Sequence, residues 1–384
     1  MEKFVQDAVH GMIKLEDWMV AIIDTPQFQR LRRIKQLGFA NLVYPGANHT
    51  RFEHSLGVAH LAAKLKERLE LDEEVVAAAL LHDVGHAPFS HGSERLLERF
   101  ARIRHEDLRS VVRGELRDVV KELGFNLSRL SDIVSGKVPS IVSGDVDVDR
   151  MDYLVRDSHY TGVAYGVIDL NRLISKIKFE DGVVIEEGGI KAAESLLISR
   201  FLMYPTVYFH HVCRIARKMY EKAMERIIER GFDAKKLLDM DDCSAMMLMK
   251  EEEPEFYEML ANRKLFKRAL YVGKDAIDLR EVLKIKEERA EREIAETAGV
   301  DEKYVIVDIP PMEEVREVSV KVSFDGKLMR LDEVSSLVKA LKSAWTEMWR
   351  LGVYTKREYV EKVEKAARDY FGVERVVQKS LDLF

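Results

Sequence analysis

The segment LLHDVGHAPFSH, residues 80–91, places three histidines and an aspartate just after the apolar run EEVVAAAL. Imidazole and carboxylate groups are poor guests of an apolar core, and a buried carboxylate without a partner is costly. Together they suit proton transfer near neutral pH or coordination of a divalent cation. RFEH (51–54) raises the same question, because His54, Val58, Leu61 and Leu65 fall at i, i+4, i+7 and i+11, one helical stripe. Further on, Val75, Ala78, Ala79 and His82 share one face, and Val76, Leu80 and Asp83 share its neighbour. In GDVDVDRMDYLVRD (144–157), Asp149, Tyr153 and Asp157 recur at i, i+4 and i+8. One cation would compensate His54, His82, Asp83 and Asp149 together. Any one of these histidines also suits an ordinary core position facing a backbone carbonyl, and a single His-Asp pair arises by chance. The joint pattern points to a metal. Mixed nitrogen and oxygen donors favour Mn, Fe, Ni or Zn over an all-oxygen cage.

The elements that must carry these residues are mainly helical up to about residue 230. Asp24 and Thr25 before Pro26 predict a capped helix over PQFQRLRRIKQLG, closed by Gly38. Helices are expected over 53–69 and 72–83. IKFEDGVVIEEGG reads as a small β-hairpin turning at Asp181-Gly182. A helix over 190–230 should kink at Pro205. After 230 the texture changes: LFKRALYVG, KYVIVDIP and EVSVKVSFDG look like strands, while REVLKIKEERAEREIAE and 334–371 look like helices. The expected organisation is a helical domain over 1–230 and a smaller α+β domain over 231–384.

The chain has 384 residues, 47% hydrophobic and 33% charged, which allows a full core under a charged surface. No apolar run is long enough to cross a bilayer, and MEKFVQDAVHG lacks the apolar stretch of a secretory signal. A cytoplasmic protein without membrane partners is expected. Cys213 and Cys243 are too few for a disulfide framework or a thiolate zinc site. A net charge of −6 argues against an obligate nucleic-acid partner. Abundant Lys, Arg and Glu hint at a thermophilic source.

The order of His54, His82-Asp83 and Asp149 resembles the HD-domain metal-dependent phosphohydrolases. RFEHSLGV, HDVGHAPFSH, DVDRMDYLVRD and VHG with IIDTPQFQRLRRIKQLG are similar, more closely, to the sterile-alpha-motif/HD dNTP triphosphohydrolases and their prokaryotic relatives. The likeness covers about residues 1–220, without a sterile-alpha-motif domain. It implies an HD helical bundle in which His54, His82, Asp83 and Asp149 hold a divalent metal, Mn, Mg, Fe, Ni or Zn. By the same likeness His86, His91 and His105 lie near the phosphates. His105 would be the general acid, oriented by Glu94, which stands where the family has aspartate. Arg51, Arg150 and Arg200 would contact phosphate, and Tyr153, Asp157 and Tyr208 the sugar. Tyr204 stands where the triphosphohydrolases carry histidine, a departure that bears on substrate identity. Core packing is the competing role for Tyr153, Tyr204 and Tyr208. Lys3, Asp24, Gln29 and Arg32 coincide with a regulatory guanine-nucleotide site, and a homo-oligomer, dimer or tetramer, is implied. For Asp24 the competing role is a helix cap, and for Arg32 a solvated surface.

The leading expectation is hydrolysis of dNTPs to deoxynucleoside and triphosphate by water that a metal activates. The alternatives are a phosphatase for nucleoside mono- or diphosphates or alarmones, and a nucleotide sensor without turnover. A nuclease is disfavoured by the acidic charge.

Overall fold

The computed structural model describes residues 3–311 and 320–374. The chain opens with strands β1 (Lys3–Asp7) and β2 (Gly11–Leu15), an antiparallel hairpin. Helices α1 (Asp17–Ile23) and α2 (Pro26–Gln29) follow. Asp24 does not start α2. It closes α1 as its C-cap, while the Thr25 hydroxyl turns back to the Ile22 carbonyl at 2.7 Å. The helix expected up to Gly38 also stops early, passing into a 3-10 turn over Arg30–Arg33 and opening out at Ile34. Tertiary contacts override local propensity here. Buried Arg30 donates to the carbonyls of Val84 and Met240 at 3.0 and 2.9 Å, and Lys35 bridges Thr50.

Helix α3 (Arg51–Leu69) starts with a capping box in which Glu53 accepts the Thr50 N–H at 2.6 Å. It buries the stripe of His54, Val58, Leu61 and Leu65. Helix α4 (Glu73–Leu81) packs against it and ends with His82 as C-cap. Four short helices follow, α5 (His91–Leu96), α6 (Leu108–Val111), α7 (Gly114–Glu122) and α8 (Leu127–Val134). Helix α9 (Val148–Thr161), capped by Asp147, which accepts the Arg150 N–H at 2.7 Å, also packs against α3. After α10 (Leu170–Ser175) comes the expected hairpin of β3 (Ile177–Phe179) and β4 (Val183–Glu186). Pro205 does more than kink the next helix. A wide turn over Tyr204–Tyr208 separates α11 (Ile190–Met203) from α12 (His211–Glu229).

Beyond α13 (Asp242–Glu252) and α14 (Pro254–Ala261) lie β5 (Lys267–Gly273), α15 (Leu279–Val282), α16 (Glu287–Ala298) and β6 (Val305–Asp308). Then come β7 (Lys321–Phe324), β8 (Lys327–Arg330), α17 (Leu331–Val334), α18 (Ser336–Trp345), β9 (Arg350–Thr355) and α19 (Val360–Phe371). Two compact units result, Met1–Glu258 with Val315–Lys342, and Met259–Glu314 with Ser343–Phe384. The chain therefore does not divide at residue 230. Helix α13 stays with the first unit, and β7 runs parallel to β4, pairing Val322 with Ile185, to give a sheet of order β3-β4-β7-β8.

The second unit is an antiparallel sheet of order β5-β9-β6 with α16 and α19 packed on it. Leu351, Val353, Val307, Ile294, Val363 and Phe371 share its core. The expected helix over 334–371 is interrupted by β9, whose run LGVYT is buried throughout and bonded along both edges. The helix expected over 280–296 is likewise split into α15 and α16.

Ile185 is fully buried in the four-stranded sheet. Ile185→Ala is expected to lower the unfolding free energy by about 2–5 kcal/mol. Denaturant titration checks this, and a loss under about 0.5 kcal/mol would contradict the pairing with β7.

Candidate metal centre and active site

Three helix ends deliver the site. His54 lies in the first turn of α3, His82 and Asp83 follow α4, and Asp149 lies in the first turn of α9. His54 Nε2 is 3.0 Å from Asp149 Oδ1, 3.2 Å from His82 Nε2 and 3.5 Å from Asp83 Oδ2. His82 Nε2 is 3.4 Å from Asp83 Oδ1 and 3.7 Å from Asp149 Oδ1. The other ring nitrogens are committed: His82 Nδ1 donates to the Ala79 carbonyl at 2.7 Å, and His54 Nδ1 to Asp152 Oδ2 at 2.7 Å. Two imidazole lone pairs and two carboxylates thus converge on one small volume, an arrangement that repels itself unless a positive charge sits inside it.

Without a cation a proton does this work. Burial disfavours the charged form of His54, but hydrogen bonds to Asp149 and Asp152 and the charge of Asp83 push its pKa up to about 10. Burial likewise opposes ionisation of the carboxylates. It is outweighed at Asp83 by Arg51, His82 and His86, at Asp149 by His54 and His82, and at Asp152 by Arg156, His10 and His54. All three stay well below the usual carboxylate range. With Asp7 they set four negative charges against the guanidinium groups of Arg51 and Arg156. The deficit is that of a divalent ion, so the residues present fit one.

A second cluster adjoins the first. His86 Nε2 lies 3.1 Å from Asp83 Oδ1, and the His86 ring stacks on that of His105, with centroids 4.1 Å apart. Glu94 stands 2.9 Å from both His105 Nδ1 and His91 Nδ1 and 3.6 Å from His86 Nδ1. Burial opposes a charge on Glu94 and on His105, yet Glu94 holds His105 above its ordinary value while His91 and His105 hold Glu94 well below its own. His86 is pushed well down, by burial and then by the charges of Arg51 and His105. The carboxylate of Glu94 thus favours a proton on His105, while burial and neighbouring positive charge disfavour one on His86. His86, Glu94 and His105 also satisfy the spacing of a cation site. Arg51 spans the two clusters, donating to Asp83 at 2.6 Å and to Ser90 Oγ at 2.9 Å, with His91 Nε2 at 3.4 Å. Ser90 and Phe89 both have positive φ, 54° and 57°, which non-glycine residues rarely adopt. Asp242 tethers this strained turn by accepting the Phe89 N–H at 2.7 Å.

Along α9, the face carrying Asp149 continues through Tyr153 to Asp157. Asp157 is buried between His49 Nε2 and the Tyr208 hydroxyl, each at 2.8 Å. Burial pushes the Tyr153 phenol up, and burial with Asp157 pushes Tyr208 well up, so both keep their protons. Tyr204 packs edge-on to Tyr208 and accepts from Arg200 at 3.0 Å. Arg150 folds back onto its own cap, Asp147, and donates to the Gly144 carbonyl at 2.5 Å. Of the expected regulatory residues, Gln29 and Arg32 meet at 2.8 Å, with Arg32 over the Phe52 ring. Lys3 lies on β1 and Asp24 at the end of α1.

Sequence reasoning passed over Asp152, His10, Arg156 and His49. Asp152 sits three residues after Asp149 in a segment already rich in aspartate. Its one distinguishing signal is Arg156, four residues on, facing it across one helical turn.

Residues 51–157 match the family described as HD domain, and residues 168–382 the one described as HD associated region. The chain belongs to the HD-domain family. This HD protein is 38% identical over 381 residues to an uncharacterized protein of Methanocaldococcus jannaschii, covering 94% of this chain and 81% of that one. It is 31% identical over 309 residues to the deoxynucleoside triphosphate triphosphohydrolase SAMHD1 homolog of Dictyostelium discoideum, covering 69% of this chain. The match spans 59% of that relative, less than two thirds of its length. A crystal structure of a phosphohydrolase from Bacteroides thetaiotaomicron superposes with a TM-score of 0.73 at 27% identity, covering 92% of this chain and all of that one. The expected mainly helical HD fold is thus the observed one. No helix among the described residues is long and apolar enough to cross a membrane.

If the first cluster holds the ion, His82→Ala and Asp149→Ala protein should each retain less than about a tenth of the parent's bound metal. Asp157→Ala, more than a helical turn away, should retain all of it. Metal analysis of the dialysed proteins checks this, and an Asp149 variant as metal-rich as the parent would contradict the ligand set.

Proposed function

We propose that the protein is a metal-dependent nucleotide phosphohydrolase that cleaves dNTPs to deoxynucleoside and triphosphate. The observation that carries this reading is the juxtaposition of the His54–His82–Asp83–Asp149 cluster, short of positive charge, with the Glu94–His105 pair, in which the carboxylate lies 2.9 Å from the ring and favours its charged form. A divalent ion held by the first cluster supplies Lewis acidity and charge neutralisation for a phosphate ester. Phosphoryl transfer otherwise depends on positioning and electrostatics.

On this reading Arg51 and Arg200 bind phosphate oxygens, a task suited to the guanidinium fork. Arg150 does the same after release from its cap. Attack of water on the α-phosphorus breaks the bond to the 5′ oxygen, and that oxygen needs a proton. His105 donates it, and Glu94 holds the ring in place and favours its charged form before transfer. His86 and His91 flank the path. Asp157 accepts the 3′-hydroxyl beside Tyr208, and Tyr153 lines the sugar pocket between the metal cluster and Asp157. The likeness to a triphosphohydrolase of Dictyostelium supports the substrate class. Tyr204, bonded to Arg200 where the triphosphohydrolases carry histidine, favours a shorter phosphate chain as the second reading.

Incubation of the purified protein and divalent metal with dNTPs, NTPs, nucleoside mono- and diphosphates and alarmones separates these readings by product. Deoxynucleoside plus triphosphate is expected. Inorganic phosphate alone would replace the first reading with the second, and no product from any nucleotide would end both. His105→Ala should lower kcat by about 10²–10⁴-fold with metal content unchanged.

A further inference from the structure

The hydrogen bonds behind His54 lead out of the metal centre to the amino-terminal hairpin. Asp152 accepts four of them. Oδ2 takes His54 Nδ1 at 2.7 Å and Arg156 Nε at 2.8 Å, while Oδ1 takes His10 Nε2 at 2.6 Å and Arg156 Nη2 at 3.0 Å. Arg156 then forks onto Asp7, donating from Nη1 at 2.9 Å and from Nη2 at 3.2 Å. Asp7 also accepts the N–H groups of Val9 and His10, at 2.9 and 2.8 Å, which closes the turn between β1 and β2. Asp152, Arg156 and His54 are buried, and the His10 side chain is only 6% exposed.

A carboxylate fixed by donors on both oxygens cannot rotate about its own bond. Besides Arg156, which bonds to both oxygens, Oδ2 takes the His54 imidazole and Oδ1 takes His10 of the hairpin. The direction in which His54 Nε2 points is therefore set by Asp152, and the direction of Asp152 by His10, Arg156 and Asp7. Gly57 bears on the same point. A Cβ there would lie 1.9 Å from Asp152 Oδ1 and 2.4 Å from Arg156 Nη2, so the ion pair occupies the place of a side chain one turn along α3 from His54. Glycine weakens a helix interior, and its presence between two turns of α3 is explained by this close approach.

We infer that the β1–β2 hairpin is a working part of the metal centre. His10 and Asp7 touch no ligand-bearing atom of the first cluster, yet they act as positioning residues that hold Asp152, and through it the His54 imidazole, in the orientation a cation requires. Hydrogen bonding to the far nitrogen of a ligating imidazole fixes its tautomer and raises its basicity, and loss of such a partner costs about 10–100-fold in metal affinity. Here the hairpin supplies the partner's own support. The inference rests on the metal reading of His54, His82, Asp83 and Asp149.

The test is the affinity of the full-length protein for Mn²⁺ and Zn²⁺, measured by competition with a chelating dye, in the parent and in His10→Ala, His10→Gln and Asp7→Asn. His10→Ala should bind about 10–100-fold more weakly. His10→Gln, which keeps a donor near the Nε2 position, should recover most of the affinity. Thermal unfolding of metal-free and metal-loaded protein separates positioning from general damage. A structural lesion lowers both midpoints alike, whereas loss of positioning narrows the gap between them. If His10→Ala does not fold, His10→Leu, of similar bulk and without a donor, carries the same comparison. Variants that bind both ions as tightly as the parent, with the gap unchanged, would overturn the inference. A parent that binds neither ion would refute the metal reading itself and this inference with it.

Discussion

The structure depends on one constraint: Asp83, Asp149 and Asp152 crowd around two imidazoles, with Asp83, Asp152 and His54 buried and the Asp149 side chain the one left partly open to solvent. Charge of one sign in a medium of low polarizability is expensive, and every surrounding element reduces that expense. Arg51 and Arg156 cancel part of it, as the buried pairs to Asp83 and to Asp7 and Asp152 show. Without a cation, His54 answers part of the remainder by holding a proton above its ordinary value, and a divalent ion at its Nε2 would take that proton's place. A divalent ion is the remaining answer, and the inward-facing ring nitrogens leave it a place.

That constraint explains the way the helices end. α4 stops at His82 because its last turn must surrender a ring N–H to the Ala79 carbonyl and turn the other nitrogen inward. α9 begins at Val148 because Asp147 caps it, which places Asp149 in its first turn and Asp157 two turns deeper. α9 thus acts as a ruler between the charge-deficient cluster and the buried Asp157–Tyr208 pair. The loop between α4 and α5 bends back through two left-handed residues, Phe89 and Ser90, so that His86, His91 and Glu94 face the same space. Strain of this kind persists only where surrounding contacts determine it, and Asp242 and Arg51 supply those contacts.

Much of the site was legible in the sequence because helical periodicity ties it to local pattern. His54 and His82 were polar members of apolar stripes, and Asp149, Tyr153 and Asp157 shared a face. What stayed hidden depends on distance along the chain. Nothing local joins His10 to Asp152, 142 positions apart, or β4 to β7, whose parallel pairing moves residues 321–330 into the first unit. The helix after Pro26 was cut short by Arg30 reaching carbonyls far away in the chain, which propensity cannot foresee. Strand β9 was lost inside a longer helical reading because charged residues flank its short apolar run. Besides the i, i+4 spacing of Asp152 and Arg156, Gly57 was a local trace of that pair, since a side chain there would collide with it.

The central claim is that a single ion belongs among His54, His82, Asp83 and Asp149. The most direct measurement is anomalous scattering from crystals of the protein grown with Mn²⁺ or Zn²⁺, with data collected on both sides of the metal absorption edge. The account predicts one strong peak in each chain, within bonding distance of His54 Nε2, His82 Nε2 and carboxylate oxygens of Asp83 and Asp149. A peak lying instead between His86, Glu94 and His105, with the first cluster empty, would contradict it.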